Sequence, residues 1–458
     1  FLPKTKKNNT AYPARWRAGW NFAGENGKFM KRLPEWEIFR KRDLFFRFFI
    51  VVFSVSAAAV ALVWLCRLFH LAANAYVGQD AEFWYPRLFS DFTQVAYYSV
   101  RRDAYLLEGG SSYSAIALLF MLPFALIFRQ DLAATEYSAV WVEPNMQILA
   151  SWRFWVAFAL YQAFAYLLLY LLSRKLLPGR GGGLFACFAA SAGTIYTFLR
   201  GNTLLVMLSL VLLFLLWYKS ERAWKREVAL LAFAAAGAMK LYPLFFVAFL
   251  LHDRKWLSAV RGMLYFLLLY FLPVLFYEGG LIAYLDNLFV FVGGENHMGD
   301  VSNIAIASVL YKIFGLFFTE IPRGPAGRCG GGGGRFLLFA AASAGVTDSP
   351  LRRGILSLCA VTLVPPVSYF YVVIFALIPA AEYLKNYEER TPRENSRFVL
   401  IFLAFGFYPI YAAYCFIVAS ALLIFLGVAC VVKTFREREF ANYFSQLFKK
   451  IRKDEENA

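Results

Sequence analysis

Reactive side chains are scarce in this chain of 458 residues, which has six cysteines and three histidines. Cys66, Cys187, Cys329, Cys359, Cys415 and Cys430 are scattered, and no pair has metal-site or disulfide-framework spacing. Five of them lie in apolar segments, where cysteine packs as a small hydrophobe. His70, His252 and His297 are too dispersed to suggest a metal cluster. The long loop after the first apolar span has no Asp-x-Asp pair, so a metal-free site without a cofactor is expected. Charge is thin as well, at 17% of residues. There is no internal repeat of the kind found in many secondary transporters. The first forty residues, polar and aromatic, do not have the pattern of a cleavable signal.

What fills the chain is hydrocarbon. It is 60% hydrophobic and 19% aromatic, with a mean hydropathy of +0.53. Apolar stretches of roughly 18–25 residues recur along its length, which predicts an all-α polytopic membrane protein with roughly 11–13 spans. The net charge of +17 does not point to nucleic acid, because the positive charge is concentrated outside the spans. Phe1–Arg47 holds 12 Lys and Arg against 4 acids, and Arg174–Arg180, Lys219–Glu227 and the tail from Lys433 are also basic. That distribution is the positive-inside pattern, with attraction to anionic membrane lipid as an addition. The expected organisation is a basic cytoplasmic segment (1–43), a transmembrane domain (44–432) whose first external loop is 72–112, and a cytoplasmic amphipathic tail (433–458).

The basic loops orient the helices. With Arg174–Arg180 inside, Gly183–Leu199 is predicted to cross outward and Arg200-Gly201-Asn202 to lie outside, before Thr203–Tyr218 returns to Lys219–Glu227. Ala259–Tyr277 goes out, and Glu278–Ser302 is read as a second external loop holding His297. Five glycines after Cys329 read as a flexible internal linker. Phe398–Val432 reads as a last hairpin broken near Gly406 and Pro409. The active face is therefore expected on the extracytoplasmic side of a cell membrane, with a bacterial plasma membrane as the setting.

One charge interrupts the apolar pattern. Lys240 is the only charged side chain in Val228–Leu251, and Pro243 follows three positions later. A lone ammonium at membrane depth costs about 3 kcal/mol on insertion scales, so it is expected to face protein or a wet cavity. Pro243 cannot donate a backbone hydrogen bond, so the helix is expected to break beside that charge. A broken helix carrying a cation suits an anion; the plainer alternative is a lysine that snorkels to the interface. Several polar residues converge on the same outer face: Asp80 and Asp91 in the first loop, Asn202, His297, and Tyr369 with Tyr371. A carboxylate able to take a proton from a hydroxyl, beside a cation able to hold a departing phosphate, are the two parts that group transfer from a phospho-activated carrier needs.

Four segments carry a resemblance. Asp91-Phe-Thr-Gln-Val-Ala-Tyr97, followed by Gly109-Gly110 and Tyr113, resembles the first-loop pattern of glycosyltransferase family 87, which contains polyprenyl-phosphate-mannose-dependent α-mannosyltransferases of the GT-C fold. Arg200-Gly201-Asn202-Thr203 resembles the family's Gly-Gln-x-Asn turn, although glutamine is absent and an arginine precedes the glycine. Gly237-Ala-Met-Lys240-Leu-Tyr-Pro243 is close to its Gly-x-x-x-Lys-x-x-Pro segment, and Pro366-Val-Ser368-Tyr369-Phe-Tyr371 is similar to its Pro-x-Ser-Trp-x-His-Tyr stretch. Tyr369 and Tyr371 stand where the family often has Trp and His, which bears on the identity of sugar and acceptor.

The resemblance implies a GT-C-like bundle and an inverting transfer of a sugar, mannose by family, from a polyprenyl-phosphate donor to a lipid or glycan acceptor. It implies Asp91 as general base, with Asp80 as its rival, and Lys240 with Arg200 on the departing phosphate. His297 would orient acceptor or phosphate, or be incidental. Asn202 would hydrogen-bond sugar or cap the helix that starts at Thr203. Tyr97, Tyr369 and Tyr371 are further candidates to touch substrate. Two other functions fit a broken helix with a buried cation. One is a transporter or flippase for lipid-linked saccharide, and the other is an envelope glycan polymerase or ligase using a diphosphate carrier.

Overall fold

The computed structural model describes residues 89–107, 110–134, 146–179, 181–189, 191–293, 303–306, 308–309, 340, 342–365, 367–385 and 412–456. The chain divides into two units, Phe1–Asp43 and Leu44–Ala458, and every described residue belongs to the second. The basic segment 1–43, the first span, Asp80, His297, the five glycines and the break near Gly406 and Pro409 lie outside the described residues. Within them the secondary structure is helical, apart from an isolated bridge between Asn303 and Tyr369.

Helix α1 is Ser90–Ser99, and α2 is Ala115–Ala125, which runs on through a 3-10 turn into Arg129–Ala133. Then follow α3 (Trp152–Leu176), α4 (Gly181–Ala189), α5 (Ala192–Arg200), α6 (Leu204–Trp217) and α7 (Ala223–Met239). A 3-10 segment, Tyr242–Phe246, leads into α8 (Val247–His252). Beyond it come α9 (Trp256–Phe271, extended by 3-10 geometry to Phe276) and α10 (Gly280–Gly293). The described chain closes with α11 (Pro350–Leu363), α12 (Leu377–Lys385), α13 (Ala412–Arg436) and α14 (Glu439–Glu456).

Three helices among the described residues are long and apolar enough to cross a membrane: Ala115–Ala133, Trp152–Leu176 and Trp256–Phe276. The 25 residues of α3 rise about 38 Å, more than the roughly 30 Å of a bilayer's hydrocarbon. Both faces of α3 are apolar. Phe154, Phe158, Tyr161, Ala165 and Leu169 are buried, while Trp152, Leu160, Phe164, Leu167 and Leu171 are exposed at helical spacing, as a lipid-facing surface requires. Helix α6 is apolar all round and mostly buried, with residues 204–209, Val211, Leu212 and Phe214 packed between α3 and α7.

Three expectations change. The stretch read as a first external loop contains a buried helix, α1, because Phe92, Val95, Ala96 and Tyr98 give it apolar faces to bury. Glu278–Ser302 is not a loop throughout, since α10 occupies Gly280–Gly293. Gly183–Leu199 is not one crossing helix. It is two short ones, and Ser191 caps the second by accepting from the Thr194 amide at 3.2 Å.

The basic loops gather at one end of α6 and α7. Lys219 pairs with Asp253 at 2.7 Å, and Lys255 Nζ donates to the Tyr218 carbonyl at 3.0 Å. The tail helix α14 docks there: Tyr443 Oη donates to the Leu251 carbonyl at 2.7 Å, and Arg254 donates to Gln446 at 2.8 Å. Arg352, buried on α11, reaches Glu437 at 2.6 Å and Glu439 at 2.8 Å. Asn202 and Lys240 stand at the opposite ends of α6 and α7.

Candidate active site

A close approach of two backbones builds the site. Gly201 ends α5 in the left-handed conformation (φ 67°), and a Cβ there would stand 2.5 Å from Phe92 Cβ, so only glycine lets α1 lie against this turn. Phe89 anchors the other side. Its amide donates to the Leu199 carbonyl at 2.7 Å, and its ring packs on Phe154, Trp155 and Phe158. Asp91, in the first turn of α1, is thereby buried beside Arg200 and Asn202.

The Asp91 carboxylate is held by three hydrogen bonds. Arg200 donates from Nε to Oδ2 at 3.0 Å and from Nη2 to Oδ1 at 2.6 Å, and Asn202 Nδ2 donates to Oδ2 at 2.5 Å. Burial alone would push this carboxyl's pKa up, but the Arg200 guanidinium, with help from Lys240 and Asn202, holds it below the usual carboxylate range. A carboxylate has about four lone-pair positions, so one on Oδ1 is left for another donor. Asn202 also caps: its Oδ1 accepts from the Leu204 amide at 3.1 Å, while its carbonyl accepts from Tyr161 Oη at 2.7 Å. Asn202 thus caps the start of α6 with its oxygen while its NH2 holds the carboxylate.

The break at Lys240 follows from the position of the proline. In a continued helix the amide of residue 243 would bond the Met239 carbonyl, and Pro243 has no N–H to give. That carbonyl instead accepts from Ser114 Oγ at 3.2 Å, and Lys240 takes extended geometry (φ −152°, ψ 138°) beyond the end of α7. The Lys240 side chain enters the cavity, with its Nζ 5.3 Å from the Tyr371 ring centre. Its Nζ has no hydrogen-bond acceptor among the described residues.

The tyrosine pair after Pro365 supplies the third wall. Asn303 staples this segment, accepting on Oδ1 from the Ser368 and Ala305 amides, both at 3.0 Å, while the Ile304 amide donates to the Ser368 carbonyl. Tyr371 stacks on Tyr196 at 5.7 Å and meets Tyr369 at 5.6 Å. The Arg200 guanidinium lies 5.8 Å from the Tyr369 ring centre and 5.9 Å from that of Tyr371.

These residues line a cavity of about 690 Å³. Its charged lining residues among those described are Asp91, Arg200 and Lys240, and the apolar lining runs on through Leu244, Phe245, Met263, Leu288 and Phe291. Of the expected residues, Asp91, Arg200, Lys240, Tyr369 and Tyr371 line it together, while Asn202 stands behind Asp91. Tyr97 does not. It is buried away from the cavity under Arg101, because helical periodicity puts residues 91, 94 and 98 on the cavity face of α1. Arg200, expected on a phosphate with Lys240, here grips Asp91. Gln94 and Tyr98 escape a reading that treats 72–112 as a loop, and the i, i+3, i+7 spacing from Asp91 is the signal that reveals them; Ser114 and Asn303 act through contacts remote in sequence, with Met239 and Ser368. The described residues hold no cluster of His, Cys, Asp and Glu able to bind a metal ion.

No curated protein and no solved structure matches the chain. Residues 112–368 match glycosyltransferase family 87, a stretch that contains Arg200, Asn202 and Lys240, whereas Asp91, Tyr369 and Tyr371 lie outside it. That match spans more than half of the chain and agrees with an all-α body carrying apolar spans, so the chain belongs to glycosyltransferase family 87 and is a membrane glycosyltransferase.

Proposed function

We propose that this protein is an inverting glycosyltransferase that moves a sugar, mannose by family, from a polyprenyl-phosphate donor to a lipid or glycan acceptor on the extracytoplasmic face of a cell membrane. The observation that carries the reading is the cavity's polarity: two cations and one carboxylate at one end, continuous with an apolar lining. The charged end suits a phosphate, and Leu244, Phe245, Met263, Leu288 and Phe291 suit the prenyl chain attached to it.

In this reading the acceptor hydroxyl donates to the open lone pair of Asp91 Oδ1. Its oxygen forms a bond to the anomeric carbon as the bond from that carbon to the phosphate oxygen breaks. The electron pair leaves with polyprenyl phosphate, and the hydroxyl proton passes to Asp91. Lys240 meets the departing oxygens. Arg200, which spends two of its five N–H groups on Asp91, has others to give to the same phosphate. Charge supports this assignment. The donor phosphodiester carries about one negative charge against a site of net +1. After transfer, the leaving monoester carries about two, against a site of +2 once Asp91 is neutral. Neither end state leaves an uncompensated charge in a low-dielectric cavity.

The outward orientation is supported by the basic loops and the docked tail at one end of α6 and α7, with Asn202 and Lys240 at the other. The test is transfer by purified protein in lipid nanodiscs, offered mono- and diphosphate polyprenyl sugars in parallel. Transfer from the monophosphate, with at least about a 10³-fold loss in Asp91→Asn, is expected. A near wild-type rate in Asp91→Asn, or use of the diphosphate alone, overturns the reading.

A further inference from the structure

The cavity has a second polar region that the phosphate chemistry does not use. Gln94 and Tyr98 follow Asp91 on the cavity face of α1. The Gln94 carbonyl accepts from Tyr113 Oη at 3.2 Å, which fixes the amide and leaves its NH2 with no acceptor among the described residues. From Tyr113 the contacts continue outward. Its main-chain carbonyl accepts from Tyr105 Oη at 3.1 Å, and the Tyr105 ring lies 5.2 Å from that of Tyr284. Tyr284 and Tyr270 place their hydroxyls 2.6 Å apart, and both line the cavity. One hydroxyl gives its proton to the other. The second proton has no protein acceptor among the described residues.

This wall is tightly built. A Cβ on Gly110 would stand 2.5 Å from Asn287 Nδ2, which itself donates to the Tyr105 carbonyl at 2.9 Å. Among the described residues it is also uncharged, since the ionised lining residues are all at the Asp91 end. Unmatched O–H and N–H donors between aromatic faces, with no cation among the described residues beside them, suit the hydroxyls of a neutral sugar and not a second phosphate.

We propose that Gln94, Tyr98, Tyr270 and Tyr284 form a subsite for an uncharged sugar ring of the acceptor, one unit beyond the ring that carries the attacking hydroxyl. This rests on the donor reading given above, because the position of the phosphate decides which sugar can reach the subsite. The donor sugar is bonded directly to a phosphate held at Arg200 and Lys240, so it stays within one ring of Asp91. Tyr98 lies seven residues along the same helix from Asp91, about 10 Å and about two rings away. The acceptor of this enzyme is therefore a glycan or glycolipid with at least two sugars at its growing end.

The test compares alkyl monomannoside with alkyl dimannoside as acceptors for the full chain in nanodiscs. Wild type is expected to favour the dimannoside in kcat/KM by about tenfold, the scale of a recognised sugar hydroxyl. Tyr284→Phe, which removes one hydroxyl and keeps the ring, and Gln94→Ala should each bring that ratio down towards one. A wild-type ratio near one, or a ratio unchanged in both variants, overturns the proposal. Calorimetric titration of the dimannoside without donor gives a second readout, in which Tyr284→Phe should bind about tenfold more weakly. If that difference appears while no polyprenyl-phosphate sugar is turned over, the subsite stands and the donor assignment falls. If both proteins turn over fully and bind the dimannoside equally, the donor assignment stands and the subsite falls.

Discussion

Tyr371 offers its ring to both cations of the site, and Asp91 offers its oxygens to one of them. The competition between burial and Arg200 for the Asp91 proton sets the expected pH response. With Arg200 in place the carboxyl stays ionised well into acid, so the acidic limb of kcat/KM should lie below the ordinary carboxylate range. Arg200→Gln removes the strongest lowering influence and leaves burial acting. The pKa rises, the base is protonated at higher pH, and activity is lost from the acid side earlier. A pH profile of the variant checks this; an acidic limb that does not move upward contradicts it. Lys240→Gln keeps the length and removes the charge, and should lower kcat/KM by about 10²–10³ if the lysine meets developing phosphate charge. A loss confined to KM would mean that Lys240 binds donor and transition state equally.

At the scale of the element, two features that weaken regular helices place the chemistry. Gly201→Ala puts a side chain at φ 67° and into Phe92, costing about 1–2 kcal/mol in backbone strain alone and pushing α1 off the turn. The expected result is a lower melting temperature together with a larger loss of transfer, read by thermal unfolding and initial rates on one preparation. Pro243→Ala works in the other direction. It returns a donor to the Met239 carbonyl, so the helix can run on past Lys240, and thermal stability should hold or rise while transfer falls at least about tenfold. Unchanged turnover in that variant would separate the helix break from the site. The break itself was legible, because a proline three residues after a lone lysine determines it locally. The burial of α1 was not, since its partners Phe128, Phe154 and Phe158 are remote in sequence.

Across the whole molecule, the described chain puts the cavity of Asp91, Arg200 and Lys240 at one end of the bundle and a polar latch at the other. Arg352 and Glu439 are both buried, and the Glu437 that also meets Arg352 is half exposed. Glu439→Leu leaves a largely buried guanidinium with that outer carboxylate and the distant Thr434 hydroxyl, which is expected to cost about 3–5 kcal/mol. Thermal unfolding should register the loss, while the rate per folded molecule changes little, because the latch is remote from Asp91. A site whose KM shifts with this substitution would instead tie the tail to substrate binding.

Composition alone determined that this is a helical membrane protein, because a chain 60% hydrophobic with lipid-length apolar runs has no soluble way to bury them. Local sequence also determined the cation at a helix break, since proline's missing N–H acts on its own turn. Only the tertiary structure decided what that cation faces. Asp91 and Arg200 are 109 residues apart, and their pairing depends on how two backbones pack at Gly201. Side chains from distant helices meet by packing, and no periodicity within one segment encodes a contact of that kind.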